Sequence, residues 1–419
     1  MEERIKALLV GANLNNKSHF KESMEELSNL AVACDFQVVG DVVQNLKSTN
    51  NSHYIGTGKI KEVLALIEEN QSDVVIFNNE LTPSQLRNLE KTLKIRILDR
   101  TALILEIFAQ RAKTHEAKLQ VEVANLKYML PRLIGSREAL GRQSGGVGTK
   151  NKGAGEKKLE LDRRKIEERI VALNKELEAI VFQRQTQRKK RNKRDLPLVA
   201  LVGYTNAGKS TIMNGMIDSF KDSEEKKVFE KDMLFATLET SVRSITLSDN
   251  KNFLLSDTVG FVSNLPHDLI KAFRSTLEEV CEADLLIHVV DYSNPNYKHQ
   301  IEVTKDTLNQ IGAGDIPVIY AYNKIDLTDN PILVEENDAA YISAKKKIGM
   351  SDLIELISQK VFTNYIHCEM LIPYDKGNII SYLREKANIK STQYENQGTL
   401  LALECTKLDF QKYEEFLIG

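Results

Sequence analysis

Residues 203–210 of the chain read Gly-Tyr-Thr-Asn-Ala-Gly-Lys-Ser and directly follow the apolar run 198–202. A glycine-rich turn between a strand and a helix lets successive backbone N–H groups point inward at a phosphate. Lys209 can then reach the outer phosphates of a nucleotide, and the Ser210 hydroxyl can join the shell of a magnesium ion. The pattern therefore predicts a phosphate-binding loop. The alternative, an unrelated glycine turn, is disfavoured by three further motifs at suitable distances.

The first of these motifs is Asp-Thr-Val-Gly at 257–260, which follows the strand-like run 252–256. Asp257 is placed to hold magnesium, and the Gly260 N–H is placed to contact the γ-phosphate. Magnesium is therefore the predicted cofactor, with Ser210 and Asp257 among its ligands.

The other two motifs fit the recognition of guanine. Asn-Lys-Ile-Asp at 323–326 follows the apolar run 318–322, and Ser-Ala-Lys at 343–345 follows a short strand-like run. The Asp326 carboxylate can accept from both the ring N–H and the amino group of guanine, whereas adenine offers no such pair of donors. Together the motifs predict a switch domain that binds GTP and GDP. The predicted nucleotide-binding residues are Gly203, Tyr204, Thr205, Asn206, Ala207, Gly208, Lys209, Ser210, Thr211, Asp257, Gly260, Asn323, Lys324, Asp326, Ser343, Ala344 and Lys345.

Composition places this domain in a larger chain that is expected to be soluble. The 419 residues are 42% apolar and 28% charged with a net charge of −2, which fits two to four domains and requires any nucleic-acid surface to be local. No apolar run is long enough to span a membrane, and the start, Met-Glu-Glu-Arg, opens no signal peptide. The four cysteines form no CxxC pair, so we expect free thiols in a reducing cytoplasm and no membrane partner.

Hydrophobic periodicity divides the chain into four predicted parts. Strand-like and helical runs alternate over residues 1–98, which predicts a small α/β domain. Residues 99–194 carry two long helical runs, each with one apolar seam, and pairing of the seams predicts a long antiparallel helical hairpin with a tip loop at 132–158. A Ras-like P-loop GTPase domain is expected at 197–362, and a small α+β domain at 363–419. The fold class is therefore multidomain α/β.

The predicted tip of the hairpin is basic and rich in glycine. We expect the first helical run to end at Pro131, and residues 132–165 hold ten Lys or Arg against four acidic residues, a net charge of +6. Six of the seven residues at 188–194 are also cationic. Basic segments without aromatic residues favour contact with RNA phosphates and sugars over base stacking, and a solvated, disordered tip is the alternative. The predicted RNA-binding residues are Arg132, Arg137, Arg142, Lys150, Lys152, Lys157 and Lys158.

The chain strongly resembles the HflX family of GTPases over nearly its whole length. The resemblance is carried by Tyr-Ile-Gly-Thr-Gly-Lys at 54–59, Asn-Glu-Leu-Thr-Pro-Ser-Gln-Leu-Arg-Asn-Leu at 79–89, the hairpin motifs at 99–101, 107–112, 118–122 and 162–164, and the switch segments at 235–240, 260–262 and 265–267. The resemblance implies that Thr237 is the switch threonine, which joins Ser210 and Asp257 in holding magnesium. Lys209, Thr237 and Gly260 are then the expected catalytic residues.

The resemblance also implies a partner. HflX proteins bind the large ribosomal subunit in the GTP state and split stalled or idle ribosomes, with the hairpin tip near the peptidyl-transferase centre of the ribosomal RNA. Members help cells to survive heat stress, and some confer resistance to ribosome-targeting antibiotics. The chain is then expected to be a monomeric cytoplasmic GTP hydrolase stimulated by the ribosome. Two alternatives stay open: a GTPase for ribosome assembly or RNA processing, and a module that holds nucleotide without turnover.

Some positions depart from the family pattern. The chain has no tryptophan, although the family usually has one near position 137, and Gly-Ala-Gly-Glu at 153–156 replaces Gly-Pro-Gly-Glu. A housekeeping member and a resistance-type member therefore both remain possible. Phe261 stands where Ras-like enzymes keep the glutamine that orients water, which predicts slow hydrolysis by the isolated protein. Asn206 matches the asparagine that seats a cation in potassium-activated relatives, so both K⁺ and ribosomal contact are candidate accelerators.

Overall fold

The chain packs into two units, each with its own hydrophobic core. The computed structural model describes residues 4–15, 19–142, 152–192, 196–219, 234–235, 240–263, 266, 269, 279–328 and 337–418. The first unit comprises residues 1–189, 231–239 and 262–276, and the second comprises residues 190–230, 240–261 and 277–419. The finer division into four domains stays a prediction.

The N-terminal part of the first unit is a parallel sheet with helices. Its elements are β1 (Lys6–Leu14), α1 (Phe20–Ala33), β2 (Gln37–Leu46), α2 (Thr57–Asn70), β3 (Val74–Phe77), α3 (Pro83–Leu93) and β4 (Arg96–Asp99), with the strands in the order β2-β1-β3-β4. Leu8, Val10 and Phe77 are fully buried in its core. The Thr82 hydroxyl accepts from the Gln85 N–H and the Gln85 side chain accepts from the Thr82 N–H, so α3 begins with a capping box. The predicted N-terminal α/β fold is confirmed.

Three helices follow: α4 (Arg100–Arg111), α5 (His115–Arg142) and α6 (Lys152–Asn192). The first predicted run is thus interrupted at residues 112–114, where Ala112 takes an extended backbone. Leu119 and Val123 on α5 pack with Leu173 on α6 in one apolar cluster. This cluster is the contact of the two seams, and the predicted helical hairpin is confirmed.

The prediction that Pro131 ends a helix is wrong, because α5 continues past it. Proline removes one helical hydrogen bond and crowds the preceding turn. The next residue, Arg132, is fixed by contacts outside the helix: its guanidinium pairs with Asp99 at 3.0 Å and donates to the Leu81 carbonyl at 3.3 Å. These tertiary contacts offset the local cost of the proline.

The tip loop is shorter than predicted. Within the expected loop 132–158, residues 132–142 belong to α5 and residues 152–158 belong to α6. Residues 143–151 lie outside the described part of the chain. The glycines near the loop ends did not prevent helix formation, since a glycine in a helix costs only about 1 kcal/mol relative to alanine.

The second unit contains a six-stranded sheet of order β10-β9-β8-β5-β7-β6. The elements of this part are β5 (Leu198–Gly203), α7 (Lys209–Ser219), β6 (Ser241–Thr246), β7 (Asn252–Asp257), β8 (Leu285–Asp291), α8 (Tyr297–Ile311), β9 (Val318–Asn323), β10 (Ala339–Tyr341) and α9 (Met350–Val361). Its strands run parallel except β6, which pairs antiparallel with β7. The carboxyl ends of β5, β7, β8 and β9 therefore lie on one edge of the sheet, which is where ligands bind in α/β folds.

The second unit ends in a three-stranded antiparallel sheet of order β11-β13-β12 with its own core. Its elements are β11 (Tyr365–Ile372), α10 (Gly377–Lys386), β12 (Asn388–Glu395), β13 (Gly398–Thr406) and α11 (Lys407–Lys412). The predicted C-terminal α+β fold is confirmed. Among the described helices of the whole chain, none is both long and apolar enough to cross a membrane.

Candidate functional site

The loop between β5 and α7 has the shape that a phosphate site requires. Gly203 and Gly208 have φ angles of +144° and +98°, which residues with side chains rarely adopt. A Cβ at Gly203 would lie 2.3 Å from the Val289 carbonyl oxygen, and a Cβ at Gly208 would lie 2.2 Å from the Asn323 amide nitrogen. Glycine is therefore required at both positions, and the loop closes against the ends of β8 and β9.

Lys209 is held inside this loop at the start of α7. It is 6% exposed, and its ammonium group donates to the carbonyls of Gly203 at 3.1 Å and Tyr204 at 2.8 Å. Burial lowers the pKa of Lys209 to about 8, although the nearby Asp257 acts in the opposite direction. Phosphate oxygens are stronger acceptors than these neutral carbonyls, so the site favours a charged phosphate ligand.

The lowered pKa of Lys209 makes nucleotide binding depend on pH. Phosphate charges raise this pKa in the complex, so binding below pH 8 needs no proton, and binding above pH 8 takes one up. We expect the affinity for GDP to be nearly constant between about pH 7, where the phosphates of GDP are ionised, and pH 8, and to fall by about tenfold per pH unit well above pH 8. Calorimetry at pH 8 in two buffers of different ionisation enthalpy should show uptake of about half a proton. A Lys209→Met control should show none, and an uptake near zero in the native protein would contradict the prediction.

The oxygen atoms around Ser210 fit a magnesium ion. The Ser210 hydroxyl donates to the Asp257 carboxylate at 2.7 Å, and Asp257 is fully buried at the end of β7. Hydroxyl and carboxylate oxygens are hard donors, and Mg²⁺ is usually held by one or two carboxylates together with substrate phosphates. Ser210 and Asp257 would hold the ion, which supplies positive charge at the phosphates. Thr237, the third predicted ligand, lies outside the described residues.

The backbone at Gly260 lies against the phosphate loop. The Phe261 N–H donates to the Gly203 carbonyl at 3.1 Å, and the Phe261 carbonyl accepts from the Thr205 N–H at 2.8 Å. A Cβ at Gly260 would lie 2.7 Å from the Thr205 Cα and 3.0 Å from the Lys209 Nζ. Gly260 and Lys209 therefore meet at one point, where the sequence predicts the γ-phosphate. The Phe261 side chain is 2% exposed and packs in the interior.

Asn323 ties the predicted base-binding segments to the phosphate loop. Its side-chain N–H donates to the Ala207 carbonyl at 2.9 Å, and its side-chain oxygen accepts from the Ala344 N–H at 3.0 Å. Lys324 has a left-handed backbone with φ of 67°, and its ammonium group lies 2.7 Å from the Asp291 carboxylate. The three predicted segments around Ala207, Asn323 and Ala344 are thus brought together.

Asp326 lies in a single helical turn, Ile325–Leu327, beside the 343–345 segment. A hydrogen bond from Ser343 is the main cause that lowers the pKa of Asp326, and Lys346, whose ammonium group is 3.5 Å away, lowers it further. The side chain is therefore a carboxylate at neutral pH. Its two oxygens accept hydrogen bonds without donating any, which matches the two donors of guanine.

Sequence reasoning missed two residues of this site. Asp291 pairs with Lys324, and Lys346 pairs with Asp326. The signal for Asp291 was present: it directly follows the run 285–290, which is apolar except for His288, and the carboxyl ends of parallel strands meet at one edge of a sheet. Lys346 lies in an exposed turn and carries no comparable signal.

The predicted RNA-binding residues belong to the first unit, and Arg132 needs a correction. Its side chain is 9% exposed and forms a buried ion pair with Asp99, which makes it a structural residue of the first unit and not an exposed tip contact. The others stay predictions, with their backbones on helices except at Lys150, which is outside the described residues: Arg137 and Arg142 on α5, and Lys152, Lys157 and Lys158 on α6.

We expect Arg132→Met to lower the free energy of unfolding of the first unit by about 3 kcal/mol, because it leaves the fully buried Asp99 carboxylate without its cation. Chemical denaturation followed by fluorescence and circular dichroism would measure the loss. Arg163→Met is the control, since Arg163 pairs with Glu167 on the exposed face of α6 and its replacement should leave the free energy of unfolding nearly unchanged. Equal losses in both variants would contradict a structural role for Arg132.

The chain is similar to known GTPases over nearly its whole length. Three family models match in succession: one described as GTP-binding GTPase N-terminal at 21–109, one as GTP-binding GTPase Middle Region at 111–191, and one as 50S ribosome-binding GTPase at 198–324. GTPase HflX of Caldanaerobacter subterraneus subsp. tengcongensis is 43% identical over 95% of this chain and 91% of its own length. GTPase HflX of Escherichia coli is 36% identical over 90% of this chain and 88% of its own length.

Among solved structures, a GTP-binding protein of the hyperthermophilic archaeon Sulfolobus solfataricus in complex with GDP covers 85% of this chain and 99% of its own, at 24% identity and a TM-score of 0.45. The family expected from the sequence motifs is confirmed by the bacterial relatives, which match nearly the whole chain at more than a third identity. The chain belongs to the HflX family of GTPases.

Proposed function

We propose that this chain is a GTP-gated factor that binds the large ribosomal subunit in its GTP state, separates the subunits of stalled or idle ribosomes, and hydrolyses GTP to be released. Its membership of a GTPase family supports the hydrolysis of GTP. The match of residues 198–324 to a model described as 50S ribosome-binding GTPase supports the large subunit as partner. Without Arg132, which is paired with Asp99, residues 133–165 still carry a net charge of +5, which supports ribosomal RNA as the surface that the hairpin contacts. The proposed contact lies near the peptidyl-transferase centre.

One set of contacts carries the proposal of gating. Phe261 exchanges two backbone hydrogen bonds with the phosphate loop, directly after Gly260. Two residues further along the chain, in the first unit, the Ser263 carbonyl accepts from Arg100 at 3.0 Å, and the Ser263 N–H donates to Glu26 at 3.4 Å. Arg100 is 2% exposed and also pairs with Glu26. Ser263 lies only three residues after Gly260. A displacement of Gly260 on loss of the γ-phosphate would therefore be transmitted along the backbone to the contacts of Ser263 with Arg100 and Glu26.

The residues of the site divide the chemistry among them. Lys209 and the Gly260 N–H stabilise charge that develops on the phosphate oxygens. Phe261 offers no hydrogen bond to the attacking water, so we expect slow hydrolysis by the protein alone. Acceleration then comes from ribosomal contact that orders the switch segments, or from K⁺ at Asn206. The two sources can be separated in an assay without ribosomes. Only acceleration by K⁺ makes the rate of GTP hydrolysis in that assay depend on the monovalent salt.

The test combines two measurements on the full chain. Steady-state GTP hydrolysis is followed with and without purified large subunits, while sucrose gradients follow intact ribosomes with GTP, a non-hydrolysable analogue or GDP. The proposal expects stimulated turnover, and splitting with GTP or the analogue but not with GDP. Lys209→Ala controls for contaminating GTPases.

Other outcomes would contradict the proposal in different ways. Stimulated turnover without splitting would favour a GTPase for ribosome assembly or RNA processing. Absence of both stimulation and splitting would remove the ribosome as partner. Absence of turnover under every condition would favour a module that only holds nucleotide.

A further inference from the structure

The turn between β6 and β7 is held by the C-terminal sheet and its helix. Asn250 has a left-handed backbone with φ of 62°, and its side-chain amide donates to the carbonyls of Arg384 at 3.0 Å and Ala387 at 3.1 Å. Both carbonyls belong to the end of α10, where backbone oxygens lack partners within the helix. Asn250 therefore caps α10 from a different part of the chain.

The next residue, Lys251, forms a buried ion pair with the same region. It is 7% exposed, and its ammonium group lies 2.9 Å from the Glu404 carboxylate on β13 and 3.4 Å from Asp249. The rings of Phe362 and Tyr365 lie beside it, with their centroids 5.6 Å and 5.1 Å from Nζ. A buried pair with several partners fixes geometry, because removing one partner leaves a charge uncompensated.

The other end of this hairpin reaches the nucleotide site. β7 runs without interruption from the turn to Asp257, a distance of roughly 20 Å at 3.3 Å per residue. Asp257 accepts from Ser210, and it pairs across the hairpin with Ser241, the residue directly after the first switch segment. The hairpin thus joins Asn250 and Lys251 at one end to the predicted magnesium ligand and the switch at the other.

We propose that the C-terminal domain is coupled to the nucleotide site through the β6–β7 hairpin, with Asn250 and Lys251 as positioning residues that favour the GTP-binding arrangement. β7 is paired with β6 along its whole length and with β5 over residues 254–257, so release of the turn acts on Asp257 through a shift of β7 together with its neighbouring strands. The binding of GTP depends on Asp257 and on Gly260, which lies three residues further on. The binding of GDP depends mainly on the phosphate loop and the base-binding segments. A ligand of the C-terminal domain would then change the preference for GTP over GDP, and the effect is reciprocal.

The inference rests on the proposed binding of GTP, and the experiment separates the two. Dissociation constants for GTP and GDP are measured with Mg²⁺ for the native chain, Lys251→Met and Asn250→Gly. Both variants are expected to weaken GTP binding by about tenfold and to leave GDP binding nearly unchanged. Asn250→Gly keeps the left-handed turn and removes only the side-chain contacts. This variant therefore tests the coupling on its own if Lys251→Met does not fold.

Two further variants sharpen the test. Lys251→Arg keeps the cation and should retain the native GTP:GDP ratio. Lys376→Met is the control for loss of a lysine ion pair and ring contact in the C-terminal domain: Lys376 pairs with Glu415 at 3.3 Å and lies over the Phe416 ring. Equal weakening of GTP and GDP would mean a merely structural role, and an unchanged ratio in folded Asn250→Gly would overturn the coupling. If the native chain bound no GTP, the proposed function would fail instead.

Discussion

Replacing Asp326 by Asn is expected to lower the affinity for GTP by about 10,000-fold and to create a preference for xanthosine triphosphate. The carboxylate is expected to accept from both the ring N–H and the amino group of guanine, whereas an amide has only one accepting oxygen, so its NH2 faces one of the two guanine donors and leaves it unpaired. Xanthine carries a carbonyl oxygen where guanine carries the amino group, so the amide N–H finds an acceptor there. The amide has the same shape as the carboxylate, so the helical turn Ile325–Leu327 is expected to persist.

Competition binding with both triphosphates would measure the change. Asp315→Asn is the matched control, because Asp315 is an exposed carboxylate in the same unit and should alter neither affinity. An Asp326→Asn protein that binds GTP as tightly as the native chain would show that the base is recognised by other residues.

The phosphate loop could be predicted from the sequence because its geometry dictates its residue types. Gly203 and Gly208 meet the Val289 carbonyl and the Asn323 side chain so closely that no side chain fits. Glycine at these two positions therefore indicates the backbone conformation of the loop directly from the sequence. The parallel strands before the motifs were equally visible, because strands buried on both faces appear as continuous apolar runs.

The helical hairpin shows where local patterns fail. Proline at 131 predicts a helix end, but the helix continues because Arg132 binds Asp99, which lies 33 residues earlier in the chain. A sequence pattern carries no information about such a distant partner. For the same reason Arg132 was assigned to RNA, since a basic residue in a basic segment resembles a solvated cation until its partner is known.

Lys251 illustrates the same limit in the second unit. A lysine in the turn of a hairpin is expected to be exposed, yet its partner Glu404 lies 153 residues away in the chain. The sequence predicted the strand at 252–256 and the small α+β domain at 363–419 as separate elements. Their junction depends on a buried ion pair, which is a property of tertiary structure only.

Replacing Gly260 by Ala is expected to reduce GTP hydrolysis by about 100-fold to 1,000-fold, with GDP affinity changed only slightly. The added Cβ would lie 2.7 Å from both the Cα and the Cγ2 of Thr205, and backbone cannot move away as a flexible side chain would. Relief of this clash must shift residue 260 away from the phosphate loop, and with it the two hydrogen bonds of Phe261. The Gly260 N–H then no longer reaches the γ-phosphate. GDP has no γ-phosphate and depends little on this contact.

Single-turnover hydrolysis with large subunits present, together with GDP dissociation constants, would separate these effects. Gly377→Ala is the matched control in the same unit, because no atom lies within 4 Å of a Cβ at that position. Hydrolysis in Gly377→Ala should equal that of the native chain. If Gly260→Ala lost GDP binding as strongly as hydrolysis, the clash would have disrupted the whole phosphate loop, and Gly260 would not be specific to the γ-phosphate. If it hydrolysed GTP normally, the loop would have absorbed the Cβ without moving the N–H, which would remove Gly260 from the catalytic residues.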